Sequence, residues 1–412
     1  PVTDFIKEKN ILIVYFRPSK AEVEKLHLPD SYEGLVPAIS ALRIFRSGFH
    51  DYCGPIPSLI RCGLYGDVIF RQWEGCELLG ISVDVSLSPD LKEGRIAIEG
   101  EFSQSRYPEK WRAVLIDPSG KETACHEAGR QEKLRLKVTP PELWWPRTHG
   151  KQPLYTLRVF YKGQERFVKK IGFRRVELRG DLQFWINGRP VRLWGANLTH
   201  PDTLSNCYNR TRMDRLLDLA ELSNCNALRV WGESEKYPDV FYEECDRRGI
   251  LLWQDFYLCC SMYSEEAQFL SCCRMEAEQM VKRLKHHPSI LLWCGGNELF
   301  LARDYGAPGK YCFGEKIVKE VFPEICGRLD PERYYHISSP SGGEWANDPS
   351  QGDTHGYTHL WFVPGRMYPT FLSENCRVCT PLKKTMDRMM TPQELWPDGY
   401  DGKVTASYRL EW

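Results

Sequence analysis

The sequence of 412 residues predicts a multidomain fold that combines all-β modules with an α/β module, a (β/α)8 TIM barrel. Three observations predict it. Residues 76–173 contain short stretches with apolar side chains at every second position, the pattern of half-buried strands. After Phe173 the pattern changes to repeated strand-then-helix units, which is typical of a parallel sheet. Ile290–Trp293 is an unbroken apolar run, as expected for a strand covered by helices on both faces.

The first 75 residues are the least regular part of the chain. Two β-like pieces, Ile11–Phe16 and Gly66–Phe70, lie on either side of one amphipathic stretch, Lys20–Leu26. Turn-forming residues fill much of the rest. We predict a β-rich module that has too few strands to close by itself.

Residues 76–173 predict an immunoglobulin-like β-sandwich. The alternating stretches Ile81–Leu87, Arg95–Glu99 and Leu134–Val138 are its clearest strands. Turn clusters at Asp117–Gly120 and Tyr161–Gly163 separate such stretches, and short strands at this spacing over about a hundred residues are typical of a sandwich.

Residues 174–412 predict the barrel. Four helices are expected, at Arg210–Asn224, Pro238–Arg248, Glu265–Lys285 and Glu315–Leu329. Seven strands are expected, at Val191–Asn197, Ala227–Trp231, Ile250–Asp255, Ile290–Cys294, Tyr334–Ile337, Asp353–Tyr357 and Thr370–Ser373. Seven strands favour a closed barrel over an open sheet, and because no eighth strand is visible before Trp412 we expect the barrel to be incomplete at its C-terminal end.

Composition restricts the class of partner and the compartment. Lys+Arg and Asp+Glu are each 55, so the net charge gives no reason to expect a nucleic-acid or membrane partner. No signal peptide is visible, and no apolar run approaches the ~18 residues of a membrane span. The 16 cysteines include the adjacent pairs Cys259-Cys260 and Cys272-Cys273, which suit a reducing compartment better than a disulfide framework. We therefore expect a cytoplasmic protein, with a lysosomal or secreted one as the alternative because Pro1 is not a natural start.

The carboxyl ends of the predicted strands carry a set of polar and aromatic residues that a barrel brings to one mouth. These residues are Asn197, Arg229, Trp231, Asp255, Asn297, Glu298, Asp353, His355 and Glu374. Glu298 and Glu374 are a candidate carboxylate pair, as in retaining glycosidases, whose two carboxyl groups lie about 5 Å apart. No metal site is expected, because the pair Cys376 and Cys379 has no second pair at metal-ligand spacing.

Structural roles compete with these functional ones. Glu298 also suits the first turn of a helix that follows a buried strand. Arg229 and Asp255 are as readily a buried ion pair between neighbouring strands as a substrate contact. Trp231 is equally consistent with packing inside the barrel. His336 and His355 are consistent with hydrogen-bonded histidines that have a structural role.

Several motifs, in order, resemble glycoside hydrolase family 2. Pro141–Pro146, Gln152–Leu157 and Lys170–Arg174 resemble the close of its sandwich domain, and Phe184–Asn197 resembles its barrel entry. Three further segments are similar to the β-mannosidase-like branch: Leu228–Gly232, Phe241–Asp246 and Gly249–Phe256. The resemblance runs from about residue 35 to about residue 395. It implies a partial jelly-roll, sugar-binding-like domain over 1–75, the sandwich over 76–173 and the catalytic barrel over 174–412.

The resemblance also implies an activity. It implies a retaining exo-β-glycosidase that needs no cofactor, a β-mannosidase that releases non-reducing terminal β-D-mannose from a β-mannoside or related oligosaccharide. Glu298 matches the family's general acid/base, Glu374 its nucleophile and Asn297 the amide that holds the sugar's 2-hydroxyl. The motif with Asp353 and His355 precedes the nucleophile strand. Further substrate contacts are implied at Trp361 and at Asp51, the latter from the N-terminal module.

Two departures leave alternatives open. Asn375-Cys376 follow Glu374 where the family has an aromatic residue and then glycine, and Gly296 stands where β-mannosidases commonly carry asparagine. The alternatives are another family 2 exo-β-glycosidase, acting on glucosides, galactosides or glucosaminides, or a non-catalytic carbohydrate-binding relative.

Overall fold

The computed structural model describes much of the chain from Leu78 to Asn375 and short stretches outside it. The described residues are 7–18, 21, 63–64, 68–103, 109–129, 132–198, 209–232, 236–260, 262–306, 314–356, 369–375 and 382–392. The chain divides into two compact units, Pro1–His355 with Met367–Glu374, and Gly356–Arg366 with Asn375–Trp412. In the second unit, residues Lys383–Met389 form a helix.

Seven strands of the first unit form the sandwich. They are β1 Leu78–Leu87, β2 Gly94–Phe102, β3 Lys110–Ile116, β4 Glu122–Gly129, β5 Leu134–Val138, β6 Tyr155–Tyr161 and β7 Gln164–Ile171. One sheet has the order β1-β2-β5 and the other β4-β3-β6-β7, with antiparallel neighbours throughout. The expected immunoglobulin-like architecture is confirmed.

The alternation read from the sequence is the burial pattern of the strands. In β5 every second residue of the predicted Leu134–Val138 is buried, and in β2 Ile96 and Ile98 are buried while Arg95 and Glu99 are exposed. Ile96 and Ile98 from one sheet share a core with Trp111 from the other. Each fully buried side chain of this size stabilises the fold by roughly 1.5–3 kcal/mol.

A small antiparallel sheet leads into the barrel. Its strands are β8 Val176–Leu178, β9 Phe184–Ile186 and β10 Arg189–Val191. Asn187 and Gly188 both have positive φ (48° and 78°), which is the backbone of a two-residue hairpin turn. The hairpin uses Val191, so the expected first barrel strand from Val191 to Asn197 is wrong at its start. That strand, β11, covers Gly195–Leu198.

Five parallel strands form most of the barrel wall, in the order β11-β12-β13-β14-β15. The added strands are β12 Ala227–Val230, β13 Leu251–Asp255, β14 Ile290–Cys294 and β15 Tyr334–His336. The helices are α1 Arg210–Leu222, α2 Asp239–Arg248, α3 Ala267–Leu284, α4 Leu299–Gly306 and α5 Phe322–Leu329, the last preceded by a π-helical turn at Ile317–Val321. The four expected helices are present.

Local signals set two of the helix ends. The Asn209 side chain accepts a hydrogen bond from Arg212 N and so caps α1. Gly249 ends α2 in the left-handed conformation (φ 69°), which glycine adopts without steric cost.

Two further strands, β16 Asp353–Gly356 and β17 Phe371–Asn375, pair with each other. Asn197 Nδ2 in β11 donates to Ser373 O in β17 over 3.3 Å, and a single antiparallel bridge joins Ser341 to Asp353. Seven barrel strands therefore appear among the described residues, as expected, and the α/β-plus-β fold class is confirmed.

The junction of sandwich and barrel fixes the start of β14. Trp144 is fully buried there and its Nε1 donates to Asp246 O over 2.8 Å. The Asp246 carboxylate in turn accepts from Ser289 N (2.9 Å) and contacts His287 Nδ1 (2.6 Å). The strand whose far end carries Glu298 is thus anchored at its near end.

Most of the predicted N-terminal module lies outside the described residues. Ile11–Phe16, expected to be β-like, is exposed and forms no strand, since none of the described residues pairs with it. The domain limits at 75 and 173 stay predictions. Among the described residues, none of the helices is long and apolar enough to cross a membrane.

Candidate active site

The backbone beyond β14 places Asn297 and Glu298 at the carboxyl end of the barrel wall. Asn297 N donates to Leu258 O (2.8 Å) and Glu298 N to Ser339 O (2.7 Å), so the segment is held from both sides. A Cβ at Gly295 would lie 2.1 Å from Ile337 O, and one at Gly296 (φ 152°) would lie 2.6 Å from Leu258 O. Only glycine fits either position.

Glu298 is not a first-turn residue of the following helix. Its φ is 53°, a left-handed backbone that costs a non-glycine residue roughly 1–3 kcal/mol and that is frequent at functional sites. The side chain is 2% exposed. Glu298 Oε1 lies 2.8 Å from His355 Nδ1, and Oε2 accepts from Cys260 Sγ over 3.1 Å.

Glu374 approaches the same histidine from β17. Its Oε2 lies 3.6 Å from His355 Nδ1 and accepts from Arg229 Nη1 over 3.3 Å. Ligand atoms of Glu298, His355 and Glu374 all lie within 4.8 Å of one another. The two carboxyl groups are therefore about as close as in a retaining glycosidase, and nearer than the ~6.5–9.5 Å of an inverting one.

The cluster of Glu298, His355 and Glu374 also offers three donor atoms that a metal ion accepts. The two carboxyl groups also act on the histidine between them. Burial alone lowers the pKa of His355, but the charges of Glu374 and Glu298 outweigh burial and raise that pKa above 6.5. The Arg229 guanidinium already contacts Glu374 and would compete with a metal ion for that carboxylate. That the site needs no metal stays a prediction.

Arg229 is the buried cation of the site. Its Nε and Nη2 contact the Asp255 carboxylate at 3.3 and 2.7 Å, and Nη2 also donates to Asn297 Oδ1 over 2.7 Å. Burial lowers the pKa of the guanidinium, but the charges of Asp255 and Glu374 outweigh it and raise the pKa above its ordinary value. The ion pair read from the sequence is present, and the same arginine reaches Glu374.

Asp353 organises the wall between β15 and β17. Its Oδ1 contacts His336 Nε2 (2.7 Å), and its Oδ2 accepts from Ser339 Oγ (2.6 Å) and Ser373 Oγ (2.5 Å). Burial raises the pKa of this carboxyl, but His336, His355 and Ser339 outweigh burial and hold it well below its ordinary value. Ser339 Oγ also lies 3.1 Å from His355 Nε2, so Asp353 supports the histidine between the two glutamates.

The remaining predicted residues differ in their placement. Asn197 lies in β11 beside Ser373, and its Oδ1 has no hydrogen-bond partner within the described part of the chain. Trp231 is buried in a small cluster with Cys259 and Cys260. Asp51 and Trp361 lie outside the described residues, so their predicted contacts stay predictions.

Several contributing residues were missed by the sequence analysis. Cys259 and Cys260 contact the Asn297 amide, and Asn347 holds the His355 backbone through two hydrogen bonds of 2.6 Å. Ser339 and Ser373 were missed as well. A usable signal existed for the cysteines, which follow β13 as Asn297 and Glu298 follow β14. The serines and Asn347 gave none, because polar loop residues are common.

The fold and the paired carboxyl groups at the barrel mouth are the arrangement found in TIM-barrel glycoside hydrolases. The sequence profile described as "Glycosyl hydrolases family 2, TIM barrel domain" matches residues 176–336, and that of "Glycosyl hydrolases family 2" matches 80–174. The chain belongs to glycosyl hydrolase family 2.

Within the family, the chain is similar to β-mannosidases. β-Mannosidase B of Emericella nidulans is 27% identical over 381 residues, 85% of this chain and 45% of that protein. β-Mannosidase B of Thermothelomyces thermophilus is 28% identical over 414 residues, 90% of this chain and 47% of that protein. The crystal structure of β-D-mannosidase from Dictyoglomus thermophilum matches with a TM-score of 0.71 and 30% identity, over 79% of this chain and 43% of that chain. The chain thus spans about half the length of these relatives.

Proposed function

We propose that the protein is a retaining exo-β-glycosidase that releases terminal β-D-mannose. The single observation that carries the proposal is the proximity of Glu298, His355 and Glu374, whose ligand atoms lie within 4.8 Å of one another. Two carboxyl groups this close leave no room for a water molecule between Glu374 and the anomeric carbon, so the carboxylate itself attacks, as double displacement requires.

In the proposed mechanism Glu374 attacks the anomeric carbon while Glu298 protonates the glycosidic oxygen. The glycosyl bond to Glu374 forms as the bond to the leaving group breaks. Glu298 then takes a proton from water, whose oxygen displaces Glu374 and frees the sugar with the original anomeric configuration. Arg229, which donates to Glu374 Oε2, orients the nucleophile.

Substrate contacts are assigned to polar groups that surround the carboxylates. Asn297, fixed by Arg229 at Oδ1, is the candidate partner of the sugar's 2-hydroxyl. Asn197 in β11 is a second candidate contact, because its Oδ1 accepts no hydrogen bond from the described residues. Asp255 supports Arg229, and Asp353 supports His355. His355 in turn orients the two glutamates.

The choice of mannose rests on the relatives, which are β-mannosidases but are only about half covered by this chain. Because Asn297 is assigned to the 2-hydroxyl, which is axial in mannose, Asn297→Ala should lose more activity on a β-mannoside than on the 2-deoxy analogue that lacks this hydroxyl. A panel of aryl β-mannoside, β-glucoside, β-galactoside, β-glucuronide and β-N-acetylglucosaminide tests the sugar. Faster turnover of another sugar would refute the mannoside assignment and leave the reaction class intact.

The catalytic roles are tested by hydrolysis of an aryl β-mannoside. We expect Glu374→Gln to abolish turnover, and Glu298→Ala to lose about 10²–10⁴-fold with substrates that need acid assistance. Added azide should restore turnover by Glu298→Ala and give the β-glycosyl azide, because the anion attacks the anomeric carbon in place of water, displaces Glu374 and needs no general base. Glu122→Gln, an exposed position of β4, is the matched control and should keep full activity.

A non-catalytic carbohydrate-binding protein makes the opposite prediction. It would stabilise on addition of mannose or mannobiose in a thermal shift assay but hydrolyse no member of the panel. It would also be insensitive to Glu374→Gln in any sugar-dependent readout. That combination would overturn the proposed function.

We further propose a cytoplasmic location. The support is the set of cysteines that are not disulfide-bonded in the described residues, among them Cys225, Cys245, Cys294 and Cys326. Alkylation of cell lysates under thiol-trapping conditions should find these thiols reduced. Cofractionation with lysosomes or recovery from the medium would refute the location.

A further inference from the structure

Two adjacent thiols lie beneath the candidate acid/base. Cys260 N donates to Asn297 O over 2.8 Å and Asn297 N donates to Leu258 O, so the segment after β13 runs alongside the segment after β14. This pairing holds Cys260 in a left-handed backbone (φ 48°) next to Glu298 (φ 53°). Both cysteines are fully buried.

The thiols form a directed chain of hydrogen bonds that ends on Glu298. Cys259 Sγ donates to Cys260 Sγ over 3.2 Å, and Cys260 Sγ donates to Glu298 Oε2 over 3.1 Å. The sulfur atoms are thus farther apart than the ~2.05 Å of a disulfide bond. Donors in series polarise one another, which strengthens the last bond of the chain.

The same sulfur atoms orient the neighbouring amide. Asn297 Nδ2 donates to Cys259 Sγ and to Cys260 Sγ, each over 3.3 Å, while Oδ1 accepts from Arg229. Because sulfur is a weak acceptor, it keeps the amide in one orientation without competing strongly with a sugar hydroxyl. A serine hydroxyl at the same place would compete more strongly.

We infer that Cys260 is a positioning residue for the acid/base: its thiol holds Glu298 Oε2 while His355 holds Oε1, and so fixes the carboxyl group for proton transfer to the glycosidic oxygen. This inference rests on the proposed function, since Cys260 acts through Glu298 and not on the sugar. A carboxyl group held at both oxygens cannot rotate away from the leaving group.

The kinetic test compares the protein with its Cys260→Ala, Cys260→Ser and Cys326→Ala variants on aryl β-mannosides of graded leaving-group acidity. Cys326, buried in α5, controls for the loss of one buried thiol. We expect Cys260→Ala to lose about three- to tenfold in kcat/KM with poor leaving groups and less than about twofold with good ones. Without the thiol donor the protonated carboxyl is favoured, so the alkaline limb of the pH profile should move to higher pH.

Cys260→Ser supplies an O–H donor and should recover kcat with poor leaving groups. Its KM should be raised, because the serine hydroxyl competes with the sugar hydroxyl for the Asn297 amide. Equal losses across all leaving groups, or losses matched by Cys326→Ala, would show that Cys260 only fills space and would overturn the inference.

A second readout does not need activity. The infrared S–H band that Cys260→Ala removes should move to higher frequency in Glu298→Ala, because the thiol loses its acceptor, and should stay unchanged in Glu122→Gln. A band indifferent to Glu298→Ala overturns the inference even in an active enzyme. A protein that hydrolyses no glycoside yet shows the band shift refutes the proposed function and keeps the Cys260–Glu298 contact.

Discussion

The sandwich and the barrel mouth hold the same kinds of ion pair in opposite environments. In the sandwich, Arg158 and Glu165 pair across β6 and β7 with side chains 43% and 35% exposed. In the mouth, Arg229 and Asp255 pair with side chains 5% and 0% exposed. Water screens the first pair and leaves it nearly neutral for stability, whereas each member of the second depends on the other.

The difference extends to the backbone. Some turns of the sandwich, such as the one at Gly163, face open space, so glycine is needed there only for its positive φ. The glycines before Asn297 also satisfy a close approach of neighbouring strands. These turns therefore tolerate local change, while the mouth couples each residue to several partners, and four predictions test this contrast.

The largest effect is expected for Asp255→Ala. It leaves the Arg229 guanidinium buried without its bidentate partner, which should lower the free energy of unfolding by about 3–5 kcal/mol. Urea denaturation followed by tryptophan fluorescence measures it. A loss below about 1 kcal/mol would mean that the buried charge finds an equivalent partner and would remove the proposed contrast.

Gly296→Ala should cost roughly 2–5 kcal/mol, because the new Cβ combines an unfavourable φ with a clash against Leu258 O. The matched variant is Gly163→Ala, which shares the positive φ (72°) but meets no atom within 4 Å. It should cost only about 1–2 kcal/mol. Equal losses in the two variants would show that backbone conformation alone, without crowding, sets the cost.

His355 should make stability depend on pH. Because the folded-state pKa of His355 is raised, its contribution to the free energy of unfolding is fully present below about pH 6.5. That contribution is lost as pH rises through the folded-state pKa. We expect the unfolding free energy to fall between pH 6 and pH 9 by more in the unmodified protein than in His355→Gln. His126→Gln, a partly exposed position of β4, is the control and should retain the full pH dependence.

The smallest effect is expected for Glu165→Gln. It removes the exposed partner of Arg158 and should change stability by less than about 1 kcal/mol, and by even less at high salt. Denaturation at low and high ionic strength measures it. A salt-independent loss above about 1 kcal/mol would show that this exposed ion pair behaves like the buried pair at the barrel mouth, and would contradict the contrast.

Much of the fold was predictable because its signals are local. The alternation of β2 and β5 and the apolar run before Gly295 report burial directly. The helix limits lie within two residues of those expected when the π-helical turn at Ile317–Val321 is counted with α5. The start of the first barrel strand was not predictable, because the hairpin at Asn187-Gly188 competes for the same residues. The long separation between Arg229 and Glu374 did not hide the site, since parallel strands bring their ends together.

The sequence by itself determined the sandwich and the barrel, the residues that end the barrel strands, and the pair of glutamates among them. Hydrophobic periodicity and family motifs carry that information along the chain. Only the tertiary structure decided that His355 lies between Glu298 and Glu374, that Asp353 supports it, and that Cys260 holds the second oxygen of Glu298. These contacts depend on side chains from different strands meeting within 4 Å, and no local pattern encodes a distance between strands that the fold alone brings together.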